Sequence, residues 1–504
     1  MRRLLLAACA GALLCAPSAH AAKECAEPGA AWERATPAEA GMDAAKLQAA
    51  IDYATTQATY ATRVYRHGCL VMGDRAEGAT SGSTYESWSL AKSVTALVFG
   101  RARTLGLLSP DDPVGSLITE ADQAHGAIRL RDLLTMTSGL RWNGVRDYNI
   151  FMEDRLRDFL TVGIAHPPGT WFEYSQTGPF TLAEAVGRAA GEDFQTFAQR
   201  ELFTPLGIAE GAWSWDRDGK GRTQGFFGVQ MTPDDYGRLG DLMRRHGMWK
   251  GQRLLSRSFL RQALTPTKTN GCYGWLIWLN KAKPCIGPTV SERPIKEERN
   301  FPGLPEDLYR FSGLFGQLVS VFPSQDLVVV RTGFDPDLVN FSGGAGWEDT
   351  LYRMVLGSIT DVEVPLSGDP EAVEGDAGQE NPDKGFQYSI GEPDQAGAPI
   401  TGADEVPAAG PFRQRALYLL TKRAKGKKVA LSASCPKIAS QPCAGSATLA
   451  GARRDVSYTI APGATRILRF TLKRAPRKAK MIRATATNAD DGGGTPTTLR
   501  VSVG

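Results

Sequence analysis

Apolar positions recur at helical spacing through residues 44–58, which predicts an amphipathic helix early in the chain. The period then shortens: Val64-Tyr65-Arg66, a turn at His67-Gly68 and residues 69–72 read as a strand hairpin. Residues 89–107 return to a helix, closed by Gly106 and the breaker Asp111-Asp112-Pro113. Further helical stretches follow at 130–136, 154–160 and 181–190. Late in this region two β-rich runs, 318–322 and 327–331, are split by Pro323-Ser324, and a closing helix is predicted at 348–356. Strands at both ends with helices between them predict an α+β domain over residues 22–359, its sheet joining the two ends.

The pattern changes twice more. Between residues 360 and 410, Asp361, Glu363, Asp369, Glu371, Glu374, Asp376 and Glu380 alternate with Gly, Pro and Ala, the composition of a solvated acidic linker. From 411 to 504 short apolar runs at 416–420, 429–433, 447–449, 456–460, 466–472, 481–487 and 499–503 are separated by turn residues. That spacing predicts a small all-β sandwich of the immunoglobulin-like kind.

The first 21 residues stand apart. Arg2 and Arg3 precede a short apolar run from Leu4 to Leu14, and Ala19-His20-Ala21 offers a small-x-small cleavage site, so the segment reads as a secretory signal. The run is too short to span a bilayer, no later stretch replaces it, and a lipoprotein signal at Cys9 ranks below simple secretion. Of eight cysteines, Cys9 and Cys15 leave with the signal. Six in an oxidising compartment suggest disulfides: Cys272–Cys285 and Cys435–Cys443 as sequence neighbours, and Cys25–Cys69 by elimination.

Composition excludes more than it selects. Over 504 residues, 42% hydrophobic content supports more than one core, and a net charge of +4 gives no reason to propose a nucleic-acid partner. The cysteines lack paired CxxC spacing, and the histidines at 20, 67, 125, 166 and 246 do not cluster, so neither a metal site nor another cofactor is expected. Two basic runs in the sandwich, 422–428 and 473–480, read first as solvated hairpin loops and second as a weak contact with an anionic envelope polymer.

No GxSxG elbow, HExxH or P-loop is present, and no histidine stands in a suggestive setting for a serine triad. A serine enzyme on this chain needs another base. Ser89-Leu90-Ala91-Lys92 supplies one, because residues three apart share a helix face and an apolar helix would bury the amine. Spacing by itself does not separate this from a helix cap and a surface lysine, and the same spacing recurs at Ser434–Lys437 beside Pro436.

Further segments change that balance. Ser87-Trp88-Ser89-Leu90-Ala91-Lys92-Ser93, Asp132-Leu133-Leu134-Thr135-Met136-Thr137-Ser138-Gly139-Leu140, Pro168-Gly169-Thr170-Trp171-Phe172-Glu173-Tyr174-Ser175-Gln176, Gly313-Leu314-Phe315-Gly316-Gln317 and Arg331-Thr332-Gly333 occur in that order. Together they resemble the motifs of the serine β-lactamase and penicillin-binding superfamily. The likeness is to its class C-like branch of esterases, D-amino-acid peptidases and aminohexanoate-oligomer hydrolases, over roughly residues 32–356. The resemblance implies an antiparallel sheet flanked by helices, a mostly helical subdomain and a site between the two.

It also implies roles. Ser89 would be the nucleophile, with Lys92 and Tyr174 handling its proton, Tyr174 as a tyrosinate beside an ammonium. The N–H groups of Ser89 and Gln317 would form the oxyanion hole, with Gly316 allowing close approach. Two departures stand out: Leu314 occupies the usual Lys or His position, and Gln176 replaces the usual Asn and either orients an amide substrate or caps a loop. Without that cation, an uncharged ester or small amide is expected ahead of a penicillin or a D-alanyl peptide. Trp142, Trp171, Phe226, Phe227, Trp275 and Trp278 are candidates for an acyl pocket or for ordinary packing. Two other readings stay open: a non-hydrolytic envelope-binding protein, and a true β-lactamase or DD-peptidase.

Overall fold

The computed structural model describes residues 22–288, 292–293, 295–334, 346–367, 379–380, 418–425, 427–434, 443–449, 451–461, 464–473, 480–488 and 497–503. The signal segment, most of the acidic stretch and Cys435, hence the pairing Cys435–Cys443, lie outside the described residues.

Helix α1 (Ala44–Thr56) starts at Asp43, whose carboxylate caps the Lys46 N–H, and leads into strands β1 (Thr59–Arg66) and β2 (Cys69–Gly73). Both residues of the connecting turn, His67 and Gly68, have positive φ (52° and 76°), as a tight hairpin joining twisted strands requires. Four elements from the middle of the chain matter for the site: α2 (Leu90–Thr104), α3 (Thr177–Ala190), α4 (Pro233–Arg244) and the short strand β3 (Trp278–Leu279). Strands β4 (Tyr309–Gly313), β5 (Gln317–Phe322) and β6 (Leu327–Gly333) then complete the sheet, and α5 (Gly346–Leu356) follows. The sheet runs β2-β1-β6-β5-β4-β3, antiparallel throughout. The early hairpin therefore pairs with the last strand, as the α+β pattern predicts.

Alternation along the strands loads both faces. Val64, Leu318, Phe322, Leu327 and Val329 pack with Leu47, Ile51, Leu351, Tyr352 and Val355 of α1 and α5. Tyr65, Val319, Val321, Val328 and Val330 point the other way, into the core shared with α2, α3 and α4. Helix α4 sits so close to the sheet that a Cβ on Gly240 would lie 2.6 Å from a Val328 methyl and 2.8 Å from one of Val319. The disulfide Cys25–Cys69 ties the leading segment to the β1–β2 hairpin, and Cys272 is bonded to Cys285.

From residue 418 on, the described residues form strands β7 (Tyr418–Lys425), β8 (Lys428–Ser434), β9 (Cys443–Leu449), β10 (Val456–Ile460), β11 (Thr465–Thr471), β12 (Lys480–Asn488) and β13 (Thr497–Val503). They form antiparallel sheets β7-β8-β11 and β10-β9-β12-β13, which share a core of Val429, Leu431, Ala447, Tyr458, Ile460, Leu468 and Phe470. The first basic run falls on the β7–β8 hairpin. Residues 474–479 of the second lie outside the described residues.

Candidate active site

Ser89 sits at the N-cap of α2, a helix buried from Leu90 through Gly100. A helix apolar on all sides is held by its surroundings rather than by one stripe. Ser93 Oγ donates to the Leu276 carbonyl and Thr95 Oγ1 to that of Gly225, each at 2.6 Å. Trp88, immediately before Ser89, is held at φ 47°. An L residue there carries strain, and the surroundings must over-determine it. Glu86 does part of this: its carboxylate accepts from the N–H groups of Trp88 and Gly228, each at 2.9 Å.

Lys92 lies one turn into α2 and is 1% exposed. Its Nζ donates to Ser89 Oγ at 3.0 Å, to Gln176 Oε1 at 2.6 Å and to the Phe226 carbonyl at 3.3 Å. All three acceptors are neutral. Burial pushes the Lys92 amine well below its ordinary range, and the Arg155 guanidinium pushes it further, partly opposed by Asp147. Arg155 and Lys92 share the Phe226 ring, with Arg155 Cζ 4.6 Å and Lys92 Nζ 5.6 Å from its centroid.

Tyr174 arrives from the segment before α3. Its hydroxyl lies close enough to Ser89 for that side chain to favour the ionised phenol, its ring centroid lies 4.7 Å from Lys92 Nζ, and Trp278 stacks on it at 5.8 Å. Burial raises the phenol, and the Ser89 contact lowers it by less. Burial thus works against the tyrosinate expected from the resemblance, since it favours the protonated phenol and the neutral amine. Gln176 is the N-cap residue of α3 and makes no side-chain cap hydrogen bond there. Its side chain holds Lys92, and its own N–H donates to Asp147 Oδ1 at 3.1 Å.

The turn between β4 and β5 corrects a second expectation. A Cβ on Gly313 would lie 2.1 Å from the Ser87 carbonyl oxygen and 3.1 Å from the Leu90 nitrogen, so Gly313 is the glycine packed on the Ser89 segment. Gly316 instead faces Arg331 and Trp347, at 2.4 and 2.7 Å from such an atom. Gln317 is the ladder partner of Gly313, and its side-chain amide exchanges hydrogen bonds with the backbone of Gly333. The first N–H beyond the packed glycine is that of Leu314, not Gln317. The packed glycine thus lies three residues earlier than Gly316, and fully buried Phe311, not Leu314, stands two positions before it. Neither residue is a cation.

The aromatic candidates divide. Phe226 and Trp278 adjoin the lysine and the phenol. Trp275 packs on Phe99 and Phe259, Trp142 on Tyr148, and Trp171 on His166. Phe227 packs on Phe226. Sequence reasoning missed the rings nearest the turn: Trp88 meets Phe315 at 5.2 Å, and Phe315 stacks on Phe334 at 4.4 Å. It also missed Arg155 and Asp147, which carry no local motif.

A family model described as Beta-lactamase matches residues 48–333, more than half of the chain. A curated Bacillus subtilis protein, named as a candidate penicillin-binding protein PbpX, is 27% identical over 120 residues, 24% of this chain. The aligned part spans 30% of that relative's length. Among solved structures, a candidate beta-lactamase from Bacteroides dorei superposes with a TM-score of 0.50 at 18% identity, over 62% of this chain and 99% of that one. A D-alanine carboxypeptidase, AmpC, from Burkholderia cenocepacia gives 0.46 at 18% identity, over 63% and 100%. At such identities the structural likeness concerns the fold alone.

Proposed function

The chain belongs to the beta-lactamase family of serine hydrolases, and from that premise we propose that it is a secreted enzyme that cleaves an uncharged ester or small amide through a covalent acyl group on Ser89. One observation carries the reading: a fully buried lysine amine, surrounded by neutral acceptors, donates to the Ser89 hydroxyl at 3.0 Å. Such an amine can be unprotonated near neutral pH and so take the serine proton.

The steps follow from the geometry. Ser89 Oγ attacks the carbonyl carbon while its proton passes to Lys92 Nζ. The oxyanion is received by the N–H groups of Ser89 and Leu314, donors whose individual loss in such sites costs roughly 10²–10³-fold in rate. The intermediate collapses, the bond to the alcohol or amine breaks, and that group leaves with the proton now on Lys92. Tyr174, a buried phenol beside Ser89, relays or stabilises this proton on its way. Water then attacks the acyl-enzyme, gives its proton to Lys92, and the acid departs as Ser89 regains a proton.

Substrate class follows from what lines the turn. Phe311 stands where many relatives are expected to hold a cation, so nothing there favours a substrate carboxylate. Aromatic rings at Trp88 and Phe315 favour an apolar substituent instead. Secretion is supported by the signal-like first 21 residues and by two disulfides. The test is turnover of a p-nitrophenyl ester together with labelling by a fluorophosphonate. Turnover and labelling that both vanish in Ser89→Ala support the reading; labelling without turnover points to a binding protein, and nitrocefin hydrolysis to a β-lactamase.

A further inference from the structure

The β4–β5 turn has an unusual backbone for its residues. Phe315 lies at φ 62° and Gly316 at φ 75°, so two successive residues occupy the left-handed region, one of them bulky and non-glycine. A turn of this kind relaxes unless something outside it holds its carbonyls. Here all three carbonyls are engaged. Gln317 Nε2 donates to Leu314 O at 3.2 Å, and Arg331 Nη1 donates to Phe315 O at 2.7 Å and Gly316 O at 2.9 Å.

Arg331 is itself fully buried, on β6. Its Nε donates to Thr59 Oγ1 at 3.0 Å, its Nη2 donates to the Gln57 carbonyl, and its guanidinium lies 4.6 Å from the Trp347 ring centroid. The guanidinium therefore joins the α1–β1 connection and the first residue of β1 to the turn. Because C=O and N–H of a trans peptide point in opposite directions, drawing the carbonyls of 315 and 316 toward Arg331 turns the N–H groups of Gly316 and Gln317 away from it and fixes the turn that Leu314 opens. Gly313, at the start of the same turn, is packed on the Ser87–Leu90 backbone.

We propose that Arg331 is a positioning residue for the oxyanion hole: its guanidinium holds the carbonyls of Phe315 and Gly316 and so fixes the turn that Leu314 opens, keeping the Leu314 N–H on the Ser89 side. This rests on the hydrolase reading above. Lysine cannot replace the fork, because one ammonium cannot reach two carbonyls, a hydroxyl and a third carbonyl in that plane. A role confined to stability would lower the melting temperature and leave the chemistry of each folded molecule intact. A positioning role lowers kcat and leaves ground-state binding largely unchanged.

The experiment compares Arg331→Lys and Arg331→Met with the full-length parent, measuring Tm, kcat and KM on a p-nitrophenyl ester and the rate of fluorophosphonate labelling. For Arg331→Met we expect kcat to fall roughly 30-fold or more with KM within about threefold, as for a misaimed oxyanion donor. Arg331→Lys, which retains charge and one or two donors, should lose less, about three- to tenfold, and its Tm should stay near that of the parent. Labelling should slow in parallel, while the pH at which turnover rises should not move. A kcat within about twofold of the parent in folded Arg331→Lys, with labelling equally fast, overturns the proposal, and so does a fall in Tm alone. If Arg331→Met does not fold, Arg331→Lys decides. If the parent turns over no ester, the hydrolase reading fails separately, and the labelling rates still judge the turn.

Discussion

Two buried cations stand on either side of the Ser89 segment, and they solve the same problem in opposite ways. Lys92, below Ser89, and Arg331, behind the β4–β5 turn, are each almost fully excluded from water and answered by neutral oxygens. Burial makes charge costly for both. The amine can escape that cost by giving up a proton, and its pKa falls accordingly. A guanidinium cannot, so its environment must supply a fixed set of acceptors instead. The first becomes a group that moves protons, and the second a group that holds backbone. What separates them is chemical type, not depth.

The comparison breaks most sharply at Lys92. Lys92→Arg keeps a positive charge of similar length but cannot deprotonate, and ester turnover should fall about 10³-fold, within the span typical of a lost general base. Lys92→Met should lose as much, and steady-state assays on both test it. If Lys92→Arg retains a tenth of the parent's activity, proton transfer by Lys92 is wrong. Next in size is Tyr174→Phe, which keeps the stacking on Trp278 and removes the hydroxyl beside Ser89. A drop in kcat of about 10²-fold with an unchanged Tm is expected.

Two smaller effects sharpen the electrostatic side. Gln176→Leu removes the 2.6 Å acceptor that favours the protonated amine, so the rise of kcat/KM with pH should move to lower pH, with a loss of about tenfold from poorer alignment. The smallest effect is on stability. The folded Lys92 amine titrates below the unfolded value of about 10.4, so between these two points the unfolded chain binds more protons and stability rises with pH. The parent should therefore gain stability relative to Lys92→Met as pH climbs through that window. Denaturant midpoints measured at several pH values below 10 would show it, and a flat difference would contradict the burial argument.

Much of the fold was legible in the residues. The hairpin at His67-Gly68, the run at 327–331 and the helix carrying Ser89 each follow from local period and turn chemistry, and the sheet joined the early hairpin to the last strand. The spacing of Ser89 and Lys92 also translates directly, since three residues along a helix are neighbours wherever that helix lies. The packed glycine was misplaced by three residues because Gly313 and Gly316 are equivalent in sequence. Only the packing of Gly313 on Ser87 and of Gly316 on Arg331 tells them apart. Gln176 was likewise ambiguous until its amide met Lys92, 84 positions away.

The sequence by itself determined the early hairpin, the helix of Ser89, the strand pair near the end of the domain, the α+β class and the spacing of a serine with a lysine, all properties of residues close together along the chain. Tertiary structure alone decided which groups carry protons and which glycine touches the nucleophile. It also decided that an arginine from the last strand of the sheet lies behind the turn. Protonation depends on how much water and which oxygens surround a group, and those neighbours come from segments the chain brings together only when it folds.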